Sequence, residues 1–212
     1  MTRPGPVGIR HIAVVGLKSA GKTTVGSSLA ARLGWSLRDS DTELRSTTGL
    51  TARQIHDNEG TLALHEAEAH ELLRALAEPG PNVICPAASV IEDPAARLAL
   101  AAADVVVIWL RASPAVLAQR FSSAAHRPVY GSDPEEVART QGELRNPHFA
   151  ALDPITIDVD RLEPAAVIEK ALDAILSVID PEGPRGPGDR GGPGDRRGPA
   201  RLSSRPRRRH QS

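Results

Sequence analysis

Gly16-Leu17-Lys18-Ser19-Ala20-Gly21-Lys22-Thr23 is the stretch of this chain best suited to chemistry, because its residue types and spacing fit a bound phosphate. It satisfies G-x-x-x-x-G-K-[ST], in which glycines let a loop curl until successive backbone N–H groups point inward at the positive end of a following helix. The chain has three lysines against twenty-three arginines, yet Lys18 and Lys22 both fall here. A compact ammonium on a flexible stem fits inside such a curl and bridges two phosphates, whereas a planar guanidinium is too wide. The hydroxyl of Thr23 suits Mg²⁺. Gly16, Ser19, Ala20, Gly21, Lys22, Thr23 and Thr24 are therefore expected to hold a nucleotide, with ATP and Mg²⁺ as cofactors. Lys18 is less informative, since the loop works with many residues at that position.

Phosphoryl transfer also needs a positioned nucleophile and cations over the charge in flight. Asp39, at the end of a strand-like segment, can hold a magnesium-bound water. Asp41 lies two residues on, on the same side of an extended chain, where it can accept the proton of a substrate hydroxyl. The alternative for Asp41 is that it caps a helix beginning at Thr42. Arg127, in a polar loop, suits a lid that closes over phosphates. Arg145, two residues before Pro147, can grip a carboxylate bidentately or stand as a surface arginine at a helix end.

The elements that must position these residues follow from hydrophobic patterning. His11–Val15 reads as a buried strand running into the glycine loop, and Lys22–Leu33 as a helix stopped by Gly34. Trp35–Leu37 enters a second strand that ends at Asp39. Helices are expected from Thr42, near Thr51–Asp57 and over Leu62–Ala77. Further strands are expected at Asn82–Cys85, Asp104–Leu110 and Ile155–Val159. Helices are expected at Pro94–Ala102, Pro114–Ser122, Pro134–Gly142 and Pro164–Val178, with a polar loop over residues 123–133. Strands alternating with helices predict an α/β fold with a five-stranded parallel sheet flanked by helices.

Taken together, the motifs resemble those of the shikimate kinases, from about His11 to Ile175. KTTVGSSLAARLGWSLRDSDTEL (22–44) is similar to that family's P-loop helix followed by its D-x-D strand end. Gly49 and the DNEG at 57–60 match its pattern. Arg120 stands seven residues before Arg127-Pro128, as the family's adenine-stacking arginine stands before its lid arginine. LRNPHF (144–149) resembles its R-x-P-x-[YF] segment and puts Arg145 at a substrate-binding arginine. The resemblance implies a P-loop NTPase fold of the nucleoside-monophosphate-kinase kind. It also implies ATP-dependent phosphorylation of a small-molecule hydroxyl, with shikimate as the leading acceptor. Another polyol, cyclitol or sugar acid is an alternative acceptor. A catalytically silent nucleotide-binding regulator is an alternative of another class.

Two departures bear on the acceptor. Where the family has three successive glycines, this chain has Pro86, Ala87 and Ala88, whose side chains fill space; Pro86 also lacks an N–H. Where the family places a carboxylate-binding arginine, this chain has His65, either a substrate contact or an ordinary helix histidine. Smaller departures are Ser19, where glycine is common in the family, and Leu162, where an arginine sometimes stands.

The 212 residues read as an N-terminal extension (1–10), a kinase domain (11–180) and an Arg/Gly/Pro-rich tail (181–212). The formal net charge is zero, but the tail has nine Arg against Glu182, Asp189 and Asp195, or +6, so residues 1–180 sum to −6. The tail repeats GPGDR and has no hydrophobic pattern, so it is expected to be disordered. Nucleic acid is not an expected partner except through its terminal arginines. One cysteine, Cys85, suits a reducing compartment, and neither a secretory leader nor a membrane span is expected. The chain is read as a cytoplasmic monomer. Deleting residues 181–212 is expected to change neither Tm nor turnover; a large drop in Tm would show that the tail is docked.

Overall fold

The computed structural model describes residues 8–121 and 133–179. Five strands form one parallel sheet in the order β2-β3-β1-β4-β5. They are β1 (His11–Val15), β2 (Ser36–Asp39), β3 (Asn82–Cys85), β4 (Val105–Arg111) and β5 (Ile155–Asp158). Every residue of β1 is buried, as a central strand covered on both faces requires. The chain leaves β1 through helix α1 (Lys22–Leu33) towards β2 at one edge, then returns across the sheet. Right-handed crossovers running in opposite directions put helices on opposite faces. Thus α1 packs with α7 (Pro164–Ile179) on one face. On the other, α3 (Ala52–Ala77) and α6 (Pro134–Ala150) meet a 3₁₀ segment, Ala88–Glu92. The crossovers from β1 and β3 diverge at the C-terminal ends of those strands, where open α/β sheets form their ligand crevice.

Two predicted boundaries move, and one expected pair of helices is joined in series. Helix α2 (Ser40–Thr48) starts two residues earlier than expected. Its cap is Asp39, whose carboxylate accepts from Thr42 N, so the capping alternative for Asp41 falls. Residues 52–77 read as one helix, but Gly60 (φ 89°, ψ 177°) interrupts it, so the expected pair of helices is present as two segments in series. Thr51 and Gln54 close a capping box at its start. Helix α6 runs past Gly142 and through Pro147 to Ala150. Gly142, Arg145 and Phe149 form its buried stripe, and Phe149 meets Trp109 of β4 at 5.9 Å between ring centroids. Burying that aromatic outweighs the lost backbone bond at proline, which costs about 3 kcal/mol in a helix interior.

The main core is aliphatic, built on Ile12, Val14, Leu29, Ile108 and Leu110 around the sheet. A second, smaller cluster of Leu44, Ala52, Ile55 and Leu64 holds α2 against α3. The fold thus has a sheet-borne body and an α2–α3 arm with its own packing. The remaining helices are α4 (Pro94–Leu100) and α5 (Pro114–Phe121). No helix among the described residues is long and apolar enough to cross a membrane.

His11 is a buried titratable residue at the start of β1, 1% exposed, with no hydrogen-bond partner within normal distance for either ring nitrogen. Burial, and then the Arg10 guanidinium, push its pKa below the ordinary 6.5 despite the opposing pull of Asp104, Glu78 and the Leu76 carbonyl. The unfolded chain therefore binds a proton here that the folded chain resists. Its stabilising contribution is full above about pH 6.5 and is lost as pH falls towards the depressed value. Between about pH 7.5 and pH 5.5 the native protein should lose more Tm than His11→Phe does. Parallel Tm curves for the two proteins would contradict this.

Candidate active site

The loop after β1 curls because its glycines allow it. Gly16 has φ 145°, and a Cβ there would lie 2.6 Å from the Leu110 carbonyl oxygen. Gly21, at φ 99°, turns the chain into α1. Ser19 also takes a left-handed conformation, φ 68°, which an L side chain resists and glycine adopts freely. Lys22 Nζ donates to the carbonyls of Gly16 (3.0 Å) and Leu17 (3.2 Å), which holds the ammonium within the curl. Lys18 lies 4.2 Å above the ring centroid of Phe121, a cation–π contact that spacing alone did not disclose.

Thr23, in the first turn of α1, donates from Oγ1 to Asp39 Oδ2 at 2.8 Å. The other carboxylate oxygen of Asp39 caps α2 through Thr42 N at 3.4 Å. A hydroxyl and a carboxylate are thereby paired beside the phosphate loop. Beneath α1, a Cβ on Gly26 would come within 2.1 Å of Cys85 Sγ, so only glycine lets the helix lie this close to β3. Cys85 Sγ donates to the Lys22 carbonyl at 3.4 Å.

A cavity of about 880 Å³ runs from this loop to the α2–α3 arm. Ser19 to Thr24, Asp39, Asp41, His65, Arg120 and Arg145 all line it; Gly16 lies outside its wall. Arg127 lies outside the described residues. Arg120 donates from Nη2 to the Val159 carbonyl at 3.4 Å, facing the Val159–Pro164 segment that also lines the cavity. Arg145 is 7% exposed; its Nε donates to Glu92 Oε1 at 2.6 Å and its Nη1 to Gln141 Oε1 at 3.1 Å. The surface-arginine alternative for Arg145 therefore falls. Pro86 and Ala88, at two of the three replaced glycine positions, line the cavity.

Sequence reasoning passed over Glu68, Ser89 and Gln141. Glu68 is buried, one helical turn beyond His65 on the cavity side, and accepts a short hydrogen bond from Ser89 Oγ. The i,i+3 spacing from His65 was the signal available for Glu68, and the i−4 spacing from Arg145 for Gln141. Nothing local marked Ser89.

A phosphate loop at the end of a central parallel strand, facing acid and cationic side chains across one cavity, defines a P-loop kinase of the small-molecule class. Comparison with known proteins agrees. The shikimate kinase family model matches residues 18–176. The shikimate kinase of Paramagnetospirillum magneticum is 34% identical over 174 residues, 82% of this chain and 88% of that protein. The solved shikimate kinase of Acinetobacter baumannii, in complex with shikimate, superposes with a TM-score of 0.74 at 25% identity. It covers 83% of this chain and 96% of its own. Deoxyadenosine kinase from M. mycoides, at 16% identity and a TM-score of 0.53, shares the fold. The chain belongs to the shikimate kinase family. It is accordingly a phosphotransferase with a small-molecule hydroxyl acceptor, and family membership implies ATP as its phosphoryl donor.

The thiol floor of the site gives a direct check. Burial, and then the Asp39 charge, push the Cys85 thiol up to about 12, with Lys22 acting the other way. Native Cys85 should resist alkylation by iodoacetamide at about pH 8.5 and react only once the chain unfolds, because the thiolate is the nucleophile. Rapid labelling of the folded protein would contradict the packing of α1 on β3.

Proposed function

We propose that this protein transfers the γ-phosphoryl group of ATP to a hydroxyl of shikimate. The observation that carries the reading is the single cavity lined both by the phosphate loop and by Asp41, His65 and Arg145. Lys22 and the loop N–H groups take the β- and γ-phosphates, and Arg120 takes the adenine. The paired Thr23 hydroxyl and Asp39 carboxylate fit Mg²⁺, which is usually held by one or two carboxylate groups plus substrate phosphates. Magnesium would supply neutralisation of the phosphate charge.

Asp41 orients the acceptor hydroxyl and accepts its proton as the new P–O bond forms. Arg145 and His65 hold the acceptor's carboxylate. The reading includes a monomer acting in the cytoplasm. A sugar acid or cyclitol is the second reading, favoured specifically by Pro86 and Ala88 in the cavity wall.

ADP release measured against shikimate, polyols, sugar acids and nucleosides tests the reading. Shikimate should give the highest kcat/KM, and Lys22→Ala should fold yet show no measurable transfer. A better acceptor in the panel would move the assignment to the second reading. Native turnover in Lys22→Ala would overturn the nucleotide site.

A further inference from the structure

The buried guanidinium that faces the acceptor already has a carboxylate against it. Arg145 Nε donates to Glu92 Oε1 at 2.6 Å, and Nη1 donates to Gln141. Glu92 does not line the cavity; it approaches Arg145 from the 3₁₀ segment Ala88–Glu92. That segment continues directly from Pro86-Ala87-Ala88, so the remodelled floor and this counter-charge belong to one stretch of chain. The Arg145 side chain is 9% exposed and that of Glu92 31%, so solvent screens the pair less than it screens a surface bridge.

We infer that Glu92 is a specificity-determining residue that acts through Arg145: it fixes the guanidinium and offsets its charge, so the site discriminates only weakly between an acidic acceptor and a neutral one. Two consequences follow from the chemistry. An Arg with two donors committed to protein acceptors has a reduced fork to offer a carboxylate, whose best grip is bidentate. A fixed negative charge behind the guanidinium also repels an incoming carboxylate while leaving a neutral hydroxyl acceptor unaffected. His65 stands where the family has an arginine, so no guanidinium supplements Arg145 from that position. The inference rests on Arg145 being the acceptor-side cation.

Glu92→Gln separates fixing from offsetting. The amide oxygen can still accept from Nε, while the opposing charge is removed. Binding of shikimate and of its neutral carboxamide would be titrated calorimetrically in both proteins, with KM for each acceptor and for ATP measured alongside. Native protein should prefer the acid over the amide by less than about tenfold, and Glu92→Gln should widen that preference by about three- to tenfold, with KM for ATP unmoved. A purely structural role would instead lower Tm and weaken acid and amide equally. An unchanged ratio in Glu92→Gln overturns the inference, as does a native preference already above about a hundredfold. The second result is read on native protein and stands even if the variant does not fold. If native protein binds and phosphorylates neither compound, the shikimate reading itself fails, which is a distinct outcome.

Discussion

The hydrogen bond from Thr23 to Asp39, 2.8 Å long, is the contact on which the rest of the site depends. It ties the first turn of α1 to the end of β2, sixteen residues further along the chain. Asp39 spends its second oxygen on the cap of α2. One carboxylate therefore sets the phosphate loop, the sheet edge and the entry to the acceptor arm relative to one another. Asp41 follows two residues later, in the first turn of the helix that Asp39 caps. Its place on the cavity wall is a consequence of that cap.

Beyond this point the two halves of the site are held differently. The nucleotide half sits on the sheet, where α1 lies against β3 at a distance only Gly26 permits. The acceptor half rides on α2 and α3, which are joined by a small apolar cluster and a charged network. In that network Arg74 bonds Glu43, Glu71 and Glu78, while Arg38 of β2 bonds Glu43 and Glu78. Exposed pairs contribute little singly, about 0–1 kcal/mol, but shared partners make each arginine's position depend on several carboxylates. The floor between the halves is lined by Pro86, Ala88 and Ser89.

Much of this was legible because it is local. A strand running into G-x-x-x-x-G-K-T, a helix stopped at Gly34 and acids at a strand end are each encoded within a few residues. The break at Gly60 was visible for the same reason. Where local signals conflicted with tertiary packing, the reading failed. Gly142 and Pro147 look like a helix end, but Phe149 packing on Trp109 carries α6 through both. The capping alternative for Asp41 rested on Thr42 as the helix start, whereas the helix begins at Ser40 and the bond belongs to Asp39. The partners of Arg145 and Glu68 were not legible at all. Glu92 lies fifty-three residues before Arg145, and Ser89 twenty-one after Glu68, with no periodicity linking either pair.

The measurement that most directly tests this account is Asp39→Asn, with turnover titrated against Mg²⁺ and Tm recorded on the same protein. Asparagine keeps its one oxygen for the Thr42 N–H cap and turns its NH₂ towards the Thr23 hydroxyl, which can accept, but it has no charge for a cation. The account predicts a Tm within a few degrees of native and a loss of about ten- to a hundredfold in metal affinity or activity, partly restored at high Mg²⁺. Native turnover at low Mg²⁺, or a collapse of Tm together with activity, would contradict it.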